Sequence, residues 1–400
     1  MTKNFTRPVT ATERVYLANA EICPPFANQL ILEYSGELNV PLWKKAVETA
    51  SAANPGSRLV LKGKLQFARW VDSGKTPPVI EVDGSAWDGM SPEGAPAFLK
   101  EPMDPYDHTC EFIIIHGNPI RICLKTMHAV MDGKGTMQWL YDIVRTANGE
   151  QPIGFNSKIT EVEAAKSFQS SGRVPKPHQY IAPTGKPEGN ERGFTWRRIK
   201  LNGALYPDGL GQIAMILARE AWSHGDGPVR FAVPVDLRPR VPKELSLGNL
   251  TNFIYIDIDK ESSPESLTKD VKHQLEGKKD GELYWGDQMV RYMPLSLLRR
   301  SLVSEIRTKN LTGLYRNSGI ISNIGEVPRD IFIGGGLTPF DAFGIPPCVD
   351  AIPLFLGMFR NTPLQVFEII ISMPRVLANN GRMEALIDRI QNEMKPGKPK

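Results

Sequence analysis

The fold of this 400-residue chain is decided in one short stretch, KTMHAVMDGKGT, at residues 125–136. A run typical of a β-strand leads into it, and a run typical of an α-helix leads out. Between them, His128, Asp132 and Gly133 form the pattern H-x-x-x-D-G. A histidine at a strand exit can act as a base near neutral pH, and glycine suits a sharp turn because it tolerates positive φ. The stretch therefore predicts a turn between a strand and a helix, whose histidine is either a base or, as is usual for so short a pattern, an ordinary hydrogen-bonded side chain.

The bulk composition indicates a soluble globular protein with two domains, because 400 residues exceed one ordinary core. Hydrophobic residues make up 41% of the chain and charged residues 23%, which is typical of soluble proteins. The 48 basic and 44 acidic residues give a net charge of +4, too small and too dispersed to indicate nucleic-acid binding. No apolar run approaches the ~20 residues of a membrane helix, and residues 1–8 lack a hydrophobic signal core. We therefore expect a cytoplasmic protein without a membrane span.

The cysteines and histidines do not indicate a metal or redox site. Cys23, Cys110, Cys123 and Cys348 contain no C-x-x-C pair, so we expect reduced and mostly buried thiols. The six histidines form neither H-x-x-x-H nor H-E-x-x-H, so no metal site is predicted. The sequence GKGT at residues 133–136 lacks the upstream glycine of a phosphate-binding loop, and nucleotide chemistry has no support either.

The alternation of strand-like and helix-like runs predicts an α/β (α+β) protein of two lobes. Residues 1–150 are predicted to form an amino-terminal lobe that carries the motif, and residues 151–193, rich in proline and glycine, a linker. Residues 194–394 are predicted to form a carboxyl-terminal lobe, and residues 395–400 a disordered basic tail.

Several elements are predicted specifically enough to be checked. Asn39 is positioned to cap a helix over residues 40–53. Residues 76–107, rich in proline, glycine and aspartate, are predicted to form a long loop. The other predictions are a hairpin of residues 111–116 and 120–125, a linker helix over 161–168, strands over 194–201, 229–235, 251–258 and 319–324, and a last hairpin of 352–359 and 364–372.

The motif resembles the active-site motif of the acyltransferases related to chloramphenicol acetyltransferase, a superfamily that includes peptide-synthetase condensation domains and plant BAHD acyltransferases. Three stretches of the second half resemble further segments of this superfamily, in its order: VDLRPR at 235–240, LGN at 247–249 and SNIG at 322–325. The BAHD element D-F-G-W-G is absent, so the bacterial condensation-like branch is the closer match. The resemblance implies two chloramphenicol-acetyltransferase-like lobes with mixed sheets flanked by helices, and an active-site tunnel between the lobes.

The resemblance also implies roles for the motif residues. His128 would be the general base, and Asp132 would pair with Arg238 of the other lobe to hold the turn, with Arg240 as the alternative partner. Such a pair would be structural, because it points away from the reacting centre. The positive end of the following helix is expected to lower the pKa of His128 and favour the neutral base.

The remaining site residues implied by the resemblance would line the substrate channel. Gly133 would let the chain pass close to it. Asn249, Ser322 and Asn323 are candidates for channel walls or for hydrogen bonds to a developing oxyanion. Each of the three is also an ordinary turn residue, so the sequence leaves both roles open.

The function implied is transfer of an acyl group from a thioester, acyl-CoA or an acyl group on the phosphopantetheine of a carrier protein, to a hydroxyl or an amine. No separate cofactor is expected, and a free-standing enzyme of secondary metabolism would fit. Met127 stands where condensation domains usually carry a first histidine. A non-catalytic scaffold that docks a carrier protein therefore stays open, as does a hydrolase that uses the same base with water.

Overall fold

Two mixed β-sheets form the centre of the molecule. The computed structural model describes residues 5–169, 171–174, 176–203, 208–347, 350–361 and 366–394. Cys348 and the predicted tail at 395–400 lie outside these residues.

The elements of the first half and the linker follow one another in chain order. They are β1 Thr6–Pro8, α1 Ala11–Ile22, β2 Ala27–Gly36, α2 Val40–Ala53, β3 Leu59–Lys62, β4 Arg69–Asp72, β5 Val79–Asp83, β6 Cys110–His116, β7 Ile120–Met127, α3 Gly133–Ala147, α4 Glu161–Lys166, β8 Gly172–Arg173 and β9 Tyr180–Ile181.

The second half continues with longer strands and helices. They are β10 Phe194–Asn202, α5 Gly209–His224, β11 Val229–Asp236, β12 Thr251–Ile258, α6 Pro264–Glu276, β13 Leu283–Tyr284, α7 Leu295–Thr312, β14 Leu314–Tyr315, β15 Gly319–Glu326, β16 Leu337–Ile345, β17 Phe355–Asn361, β18 Val366–Pro374, α8 Arg375–Ala378 and α9 Arg382–Glu393.

The first sheet has the strand order β16-β2-β7-β6-β5. The predicted hairpin is confirmed, because β6 and β7 pair antiparallel with Ile113 opposite Cys123.

The long loop predicted over residues 76–107, with one short helical turn at 96–100, is wrong at β5, which pairs parallel with β6. The short turn is present at Ala97–Leu99. The edge strand β5 has a single neighbour and no fully buried residue, and its short apolar run follows directly on Pro77 and Pro78, which favour a loop.

The second sheet has the strand order β10-β18-β17-β15-β11-β12. Strand β15 runs parallel to both of its neighbours, which makes this sheet mixed as well. The last predicted hairpin is confirmed, because β17 and β18 pair antiparallel. Its connecting residues 362–365 lie outside the described part of the chain.

Strand β16 comes from the second half of the sequence but belongs to the first sheet. It pairs antiparallel with β2, from Leu337 opposite Gly36 to Ile345 opposite Gln29. No strand was predicted here, because the segment carries a proline and a β-bulge between Pro339 and Asp341. The division at residue 194 stays a prediction, and one strand of the region beyond it is built into the first sheet.

A buried cluster of charged side chains joins β16 and β2 of the first sheet to β10 and β18 of the second. Arg198 on β10 is 2% exposed and donates from Nε to Glu368 at 2.6 Å and from Nη2 to Asp341 at 2.7 Å. Its Nη1 lies 3.6 Å from a carboxylate oxygen of Glu33, on β2. Lys200, which is partly exposed, also contacts Asp341. Acidic side chains of β2, β16 and β18 therefore surround the guanidinium of Arg198.

Helices cover each sheet and complete two main apolar cores. Helices α2 and α3 pack on the first sheet, where Trp43 and Trp139 are fully buried. Helices α5 and α9 contribute to the core of the second sheet. Cys23, Cys110 and Cys123 are free and buried, as expected. None of the helices in the described residues combines the length and apolarity that a membrane crossing requires.

We predict that Arg198→Ala destabilises the protein by ~3–5 kcal/mol, because it leaves buried carboxylates without their shared cation. Arg197→Ala, on the same strand, is the matched control. Arg197 is 27% exposed and pairs with the more exposed Glu93 and Glu384, so its loss should cost less than ~1 kcal/mol. Urea unfolding of the two variants measures the difference, and equal losses would contradict the central role of Arg198.

Candidate active site

The motif forms a tight turn between β7 and α3, as predicted. Strand β7 ends at Met127, and the backbone N–H of Val130 donates back to the Met127 carbonyl at 3.0 Å. The N–H of His128 donates to the carbonyl of Phe26 at 3.4 Å, which ties the turn to the start of β2. Helix α3 begins at Gly133 with Asp132 as its N-cap residue. The histidine therefore projects from the point where strand and helix meet.

The surroundings of His128 favour the neutral form of its imidazole. Its Nδ1 lies 3.3 Å from the carbonyl oxygen of Met131. Because that oxygen can only accept, the contact places the hydrogen on Nδ1 and leaves the lone pair of Nε2 free. Burial lowers the pKa of His128, against the opposing effect of the Asp132 charge. The pKa of His128 is therefore lowered, as expected, but the main cause is burial. The contribution of the helix terminus to this pKa stays a prediction.

Two aromatic residues that the sequence did not single out contact the His128 ring. Tyr16 on α1 stacks on it, with ring centroids 4.6 Å apart and an interplanar angle of 25°. Phe26 lies 5.5 Å away at 36°. Phe26 has a φ of +33°, which is unfavourable for a bulky side chain and marks a constrained site.

The carboxylate of Asp132 is buried and fully engaged. Its Oδ1 accepts from the N–H of Gly135 at 2.8 Å, which caps α3. Its Oδ2 accepts from the N–H of Leu250 at 2.8 Å and from Oγ1 of Thr251 at 3.1 Å. Burial alone would raise the pKa of Asp132, but Arg238 and these donors outweigh it and hold the pKa low. Asp132 is thus an ionised structural group rather than a proton donor.

The predicted ion pair between Asp132 and Arg238 is confirmed. Nη2 of Arg238 lies 3.0 Å from Oδ1, and Nη1 lies 3.1 Å from Oδ2, so the pair is bidentate. The remaining donors of Arg238 bind Asp236 at 2.9 Å and the carbonyls of Ser246 and Gly248 at 3.3 and 2.8 Å. All five N–H groups of the guanidinium are therefore used.

Arg240, the alternative partner, has a different role. It pairs with Asp280 at 3.0 Å and so does not reach the motif.

Gly133 and Asn249 differ in part from their expected roles. Gly133 does not have a positive φ, and a Cβ there would meet no atom within 4 Å. The close approach is at Gly135, where a Cβ would lie 2.0 Å from the carbonyl oxygen of Leu247. The proximity of Gly133 to a channel stays a prediction. Nδ2 of Asn249 donates to the backbone carbonyl of His128 at 2.8 Å, so Asn249 supports the histidine from the second half.

Ser322 and Asn323 lie on strand β15. Asn323 is exposed, and its Oδ1 accepts from the N–H of Gly325 at 3.1 Å, which stabilises a local bulge. Ser322 is partly buried opposite Gly357. No hydrogen bond in the described part of the chain links either residue to His128. Their place in a channel wall stays a prediction.

Solved structures of the same architecture cover nearly the whole chain. The first condensation domain of the calcium-dependent antibiotic synthetase, in complex with a substrate analogue, matches with a TM-score of 0.71 at 12% identity, over 98% of this chain and 95% of that one. The starter condensation domain of rhizomide synthetase RzmA, a mutant in complex with C8-CoA, matches at 0.63 and 13% identity, over 99% and 96%. The chain has the condensation-domain fold.

F. graminearum TRI101, complexed with coenzyme A and deoxynivalenol, shares this fold with a TM-score of 0.60 at 12% identity, over 95% of this chain and 97% of that one. No protein-family model and no curated protein matches the sequence. At this low identity the likeness establishes the two-lobed fold and leaves the chemistry to the residues of this chain.

Within the condensation-domain fold, a second buried acidic group lies near the motif. Glu161, the first residue of α4, is 4% exposed, and its Oε1 has no hydrogen-bond partner among the described residues. Burial, followed by the negative charge of Glu13, raises the pKa of Glu161 to about 7. Glu13 itself pairs with Arg7 at 2.6 Å, and Arg7 also donates to the carbonyl of Val130 inside the motif turn at 3.3 Å. The predicted linker helix is therefore packed beside the motif.

We predict that Arg238→Ala lowers the free energy of unfolding by ~3–5 kcal/mol, because it leaves the buried Asp132 carboxylate without its cation. Lys243→Ala removes an exposed positive charge a few residues further on and should change stability by less than ~0.5 kcal/mol. Urea denaturation provides the comparison. A loss for Arg238→Ala as small as that for Lys243→Ala would show that the pair does not hold the halves together.

We predict that Glu161 makes stability fall as the pH rises. The unfolded carboxyl releases its proton near pH 4.5, whereas the folded one keeps it up to about pH 7, so the loss develops across this window. Glu161→Gln removes the group and should stabilise the protein by roughly 1–3 kcal/mol above pH 7, with little effect near pH 4. Denaturant unfolding at both pH values measures this. Glu191→Gln, an exposed control in the same linker, should keep the wild-type pH dependence of stability. If Glu161→Gln also keeps it, Glu161 is not the source of that pH dependence.

Proposed function

We propose that this protein is an acyltransferase that moves an acyl group from a thioester to a hydroxyl or amine, with His128 as the general base. The observation that carries the proposal is the His128 imidazole, whose Nδ1 is engaged at 3.3 Å while Nε2 keeps its lone pair. A single neutral imidazole in a condensation-domain fold suits a reaction that requires one proton to be taken and returned.

The proposed reaction balances with this one group. Nε2 takes the proton of the acceptor O–H or N–H as the acceptor atom attacks the thioester carbon, giving a tetrahedral intermediate. The carbon–sulfur bond then breaks, and the imidazolium returns the proton to the departing sulfur. The products are an ester or amide and a free thiol, and no further cofactor is needed in this scheme. The structural role of Asp132 and Arg238 is to keep the turn rigid while the proton moves.

The thioester donor is proposed from the similar structures. Two of them were solved with C8-CoA and with coenzyme A, so we propose a donor on coenzyme A or on the phosphopantetheine of a carrier protein. Because the similar condensation domains belong to synthetases, we propose a role in secondary metabolism. Ser322 and Asn323 are retained as candidate channel residues.

The position of Met127 favours catalysis over a scaffold role. The Met127 side chain is 1% exposed and belongs to the apolar core of the first half. The Met127 side chain therefore packs in this core, next to His128 in the chain. The departure from the usual double histidine therefore does not remove the proposed base.

We predict that thiol release from C8-CoA and other acyl-CoA or acyl-pantetheine donors, with pooled alcohols and amines, depends on His128. His128→Ala should lower kcat by ~10²–10⁴-fold, the usual contribution of a general base. The matched control is His116→Ala, because His116 is exposed at the end of β6. Since burial lowers the pKa of His128, the acid limb of kcat/KM should lie below pH 6.5.

Each other outcome of this assay leads to a different conclusion. Release by wild type with water as the sole acceptor would indicate a thioesterase. If wild type and His128→Ala release thiol equally, His128 is not the base. Silence of wild type with every donor, together with binding of an acylated carrier protein, would favour the scaffold function.

A further inference from the structure

Three aromatic rings form a compact cluster at the proposed base. Tyr16 and Phe26 each contact the His128 ring, and they also contact one another at 5.4 Å in an edge-to-face arrangement. The nearly parallel stack of Tyr16 covers one face of the imidazole. Stacked and edge-to-face contacts at these separations stabilise a ring orientation beyond simple burial.

Hydrogen bonds alone hold the imidazole weakly. Its contact with the Met131 carbonyl is 3.3 Å, long for an N–H···O bond. Asn249 donates to the backbone carbonyl of His128, and its side chain has a minor influence on the pKa of the ring. Asp132 is fully engaged with Arg238 and backbone donors, so it does not orient the ring either. The aromatic neighbours, which lie against the ring itself, therefore make the closest packing contacts that can set its tilt.

Helix α1, which carries Tyr16, is anchored firmly enough to do this. Its capping box has Thr10 and Glu13 bonding each other's backbone N–H groups, and Glu13 also accepts from Nε1 of Trp70 at 3.1 Å. Arg14 is 2% exposed and donates to the carbonyls of Leu65 and Val290 at 3.0 and 3.1 Å. The helix is thus tied to both halves of the chain.

We propose that Tyr16 is a positioning residue for His128: its ring fixes the plane of the imidazole and keeps water off that face. The proposal rests on the proposed role of His128 as the base. The ring, rather than the hydroxyl, does this, because the stacked contact is made by the aromatic face. A misplaced base loses rate through poor alignment, even where substrate binding is unchanged.

The charged groups around this pair are few. On the side of the motif, Asp132 faces the imidazole and is neutralised by Arg238. On the side of Tyr16, the charges are those of Glu161 and Glu13. A change of Tyr16 removes none of these charges, so we expect a change in the pKa of His128 to report the loss of the covering ring.

The test compares Tyr16→Ala, Tyr16→Leu and Tyr16→Phe with Tyr141→Ala. Tyr141 is a partly buried tyrosine on α3 that packs on the first core and serves as the matched control. NMR titration of the His128 Cε1–H signal, assigned with His128→Ala among the six histidines, measures the pKa in each variant. The thiol-release assay measures kcat and KM.

We expect Tyr16→Ala and Tyr16→Leu to raise the pKa of His128 towards its ordinary value, because water regains access to the ring. Their kcat should fall ~10-fold or more with KM nearly constant, whereas Tyr16→Phe should restore kcat to within about threefold of wild type. Tyr141→Ala should leave the pKa of His128 at its wild-type value.

The proposal is overturned if folded Tyr16→Leu keeps the wild-type pKa of His128, or if Tyr16→Phe loses as much activity as Tyr16→Ala. It also fails if Tyr141→Ala shifts the pKa equally, since that would indicate a general loosening of the fold. The titration needs no turnover. If wild type releases no thiol with any donor, the proposed function fails while the titration still decides the role of Tyr16.

Discussion

The buried carboxylate of Asp132 is the group on which the rest of the site depends. It caps helix α3 through Gly135 and binds the guanidinium of Arg238 through two hydrogen bonds. It also accepts from the backbone of Leu250 in the second half. The Asp132 carboxylate thus connects the start of α3 with Arg238 and Leu250, which lie more than a hundred residues further along the chain. A buried carboxylate with this many donors stays ionised, and removing any partner leaves charge without compensation.

His128 owes its surroundings to the motif turn, to the second half of the chain and to helix α1. The turn fixes the backbone, Asn249 supports its carbonyl from the second half, and helix α1 brings Tyr16 against the ring. Because these neighbours exclude water, the neutral form of the imidazole is favoured. The combination of an immobile backbone and a shielded, uncharged ring is what a general base requires.

A buried charge network centred on Arg198, separate from the Asp132–Arg238 pair, connects the two sheets. Arg198 gathers Glu368 and Asp341, and so links the second sheet to the crossing strand β16. This strand is paired with β2, which in turn pairs with the motif strand β7 from Ala27 opposite Met127 to Tyr34 opposite Ile120. The two halves are therefore joined both by strand exchange and by ionic contacts. Such contacts specify one arrangement of the halves, since any other would bury unpaired charge.

The sequence by itself determined the local structure of the motif. The pattern H-x-x-x-D-G, the helix over residues 40–53 and the hairpins could be read from spacing and capping, because these signals involve neighbours in the chain. The pairing of Asp132 with Arg238 also followed, through resemblance of two separate segments.

The tertiary structure decided what depends on distant neighbours. Tyr16 and Phe26 carry no motif, Glu161 looks like any helix-terminal acid, and β16 is interrupted by a proline and a bulge. Burial and stacking arise only when segments far apart in sequence are packed together. The covering of His128 and the unusual pKa of Glu161 are therefore properties of the packed molecule, and not of the residues that precede or follow them.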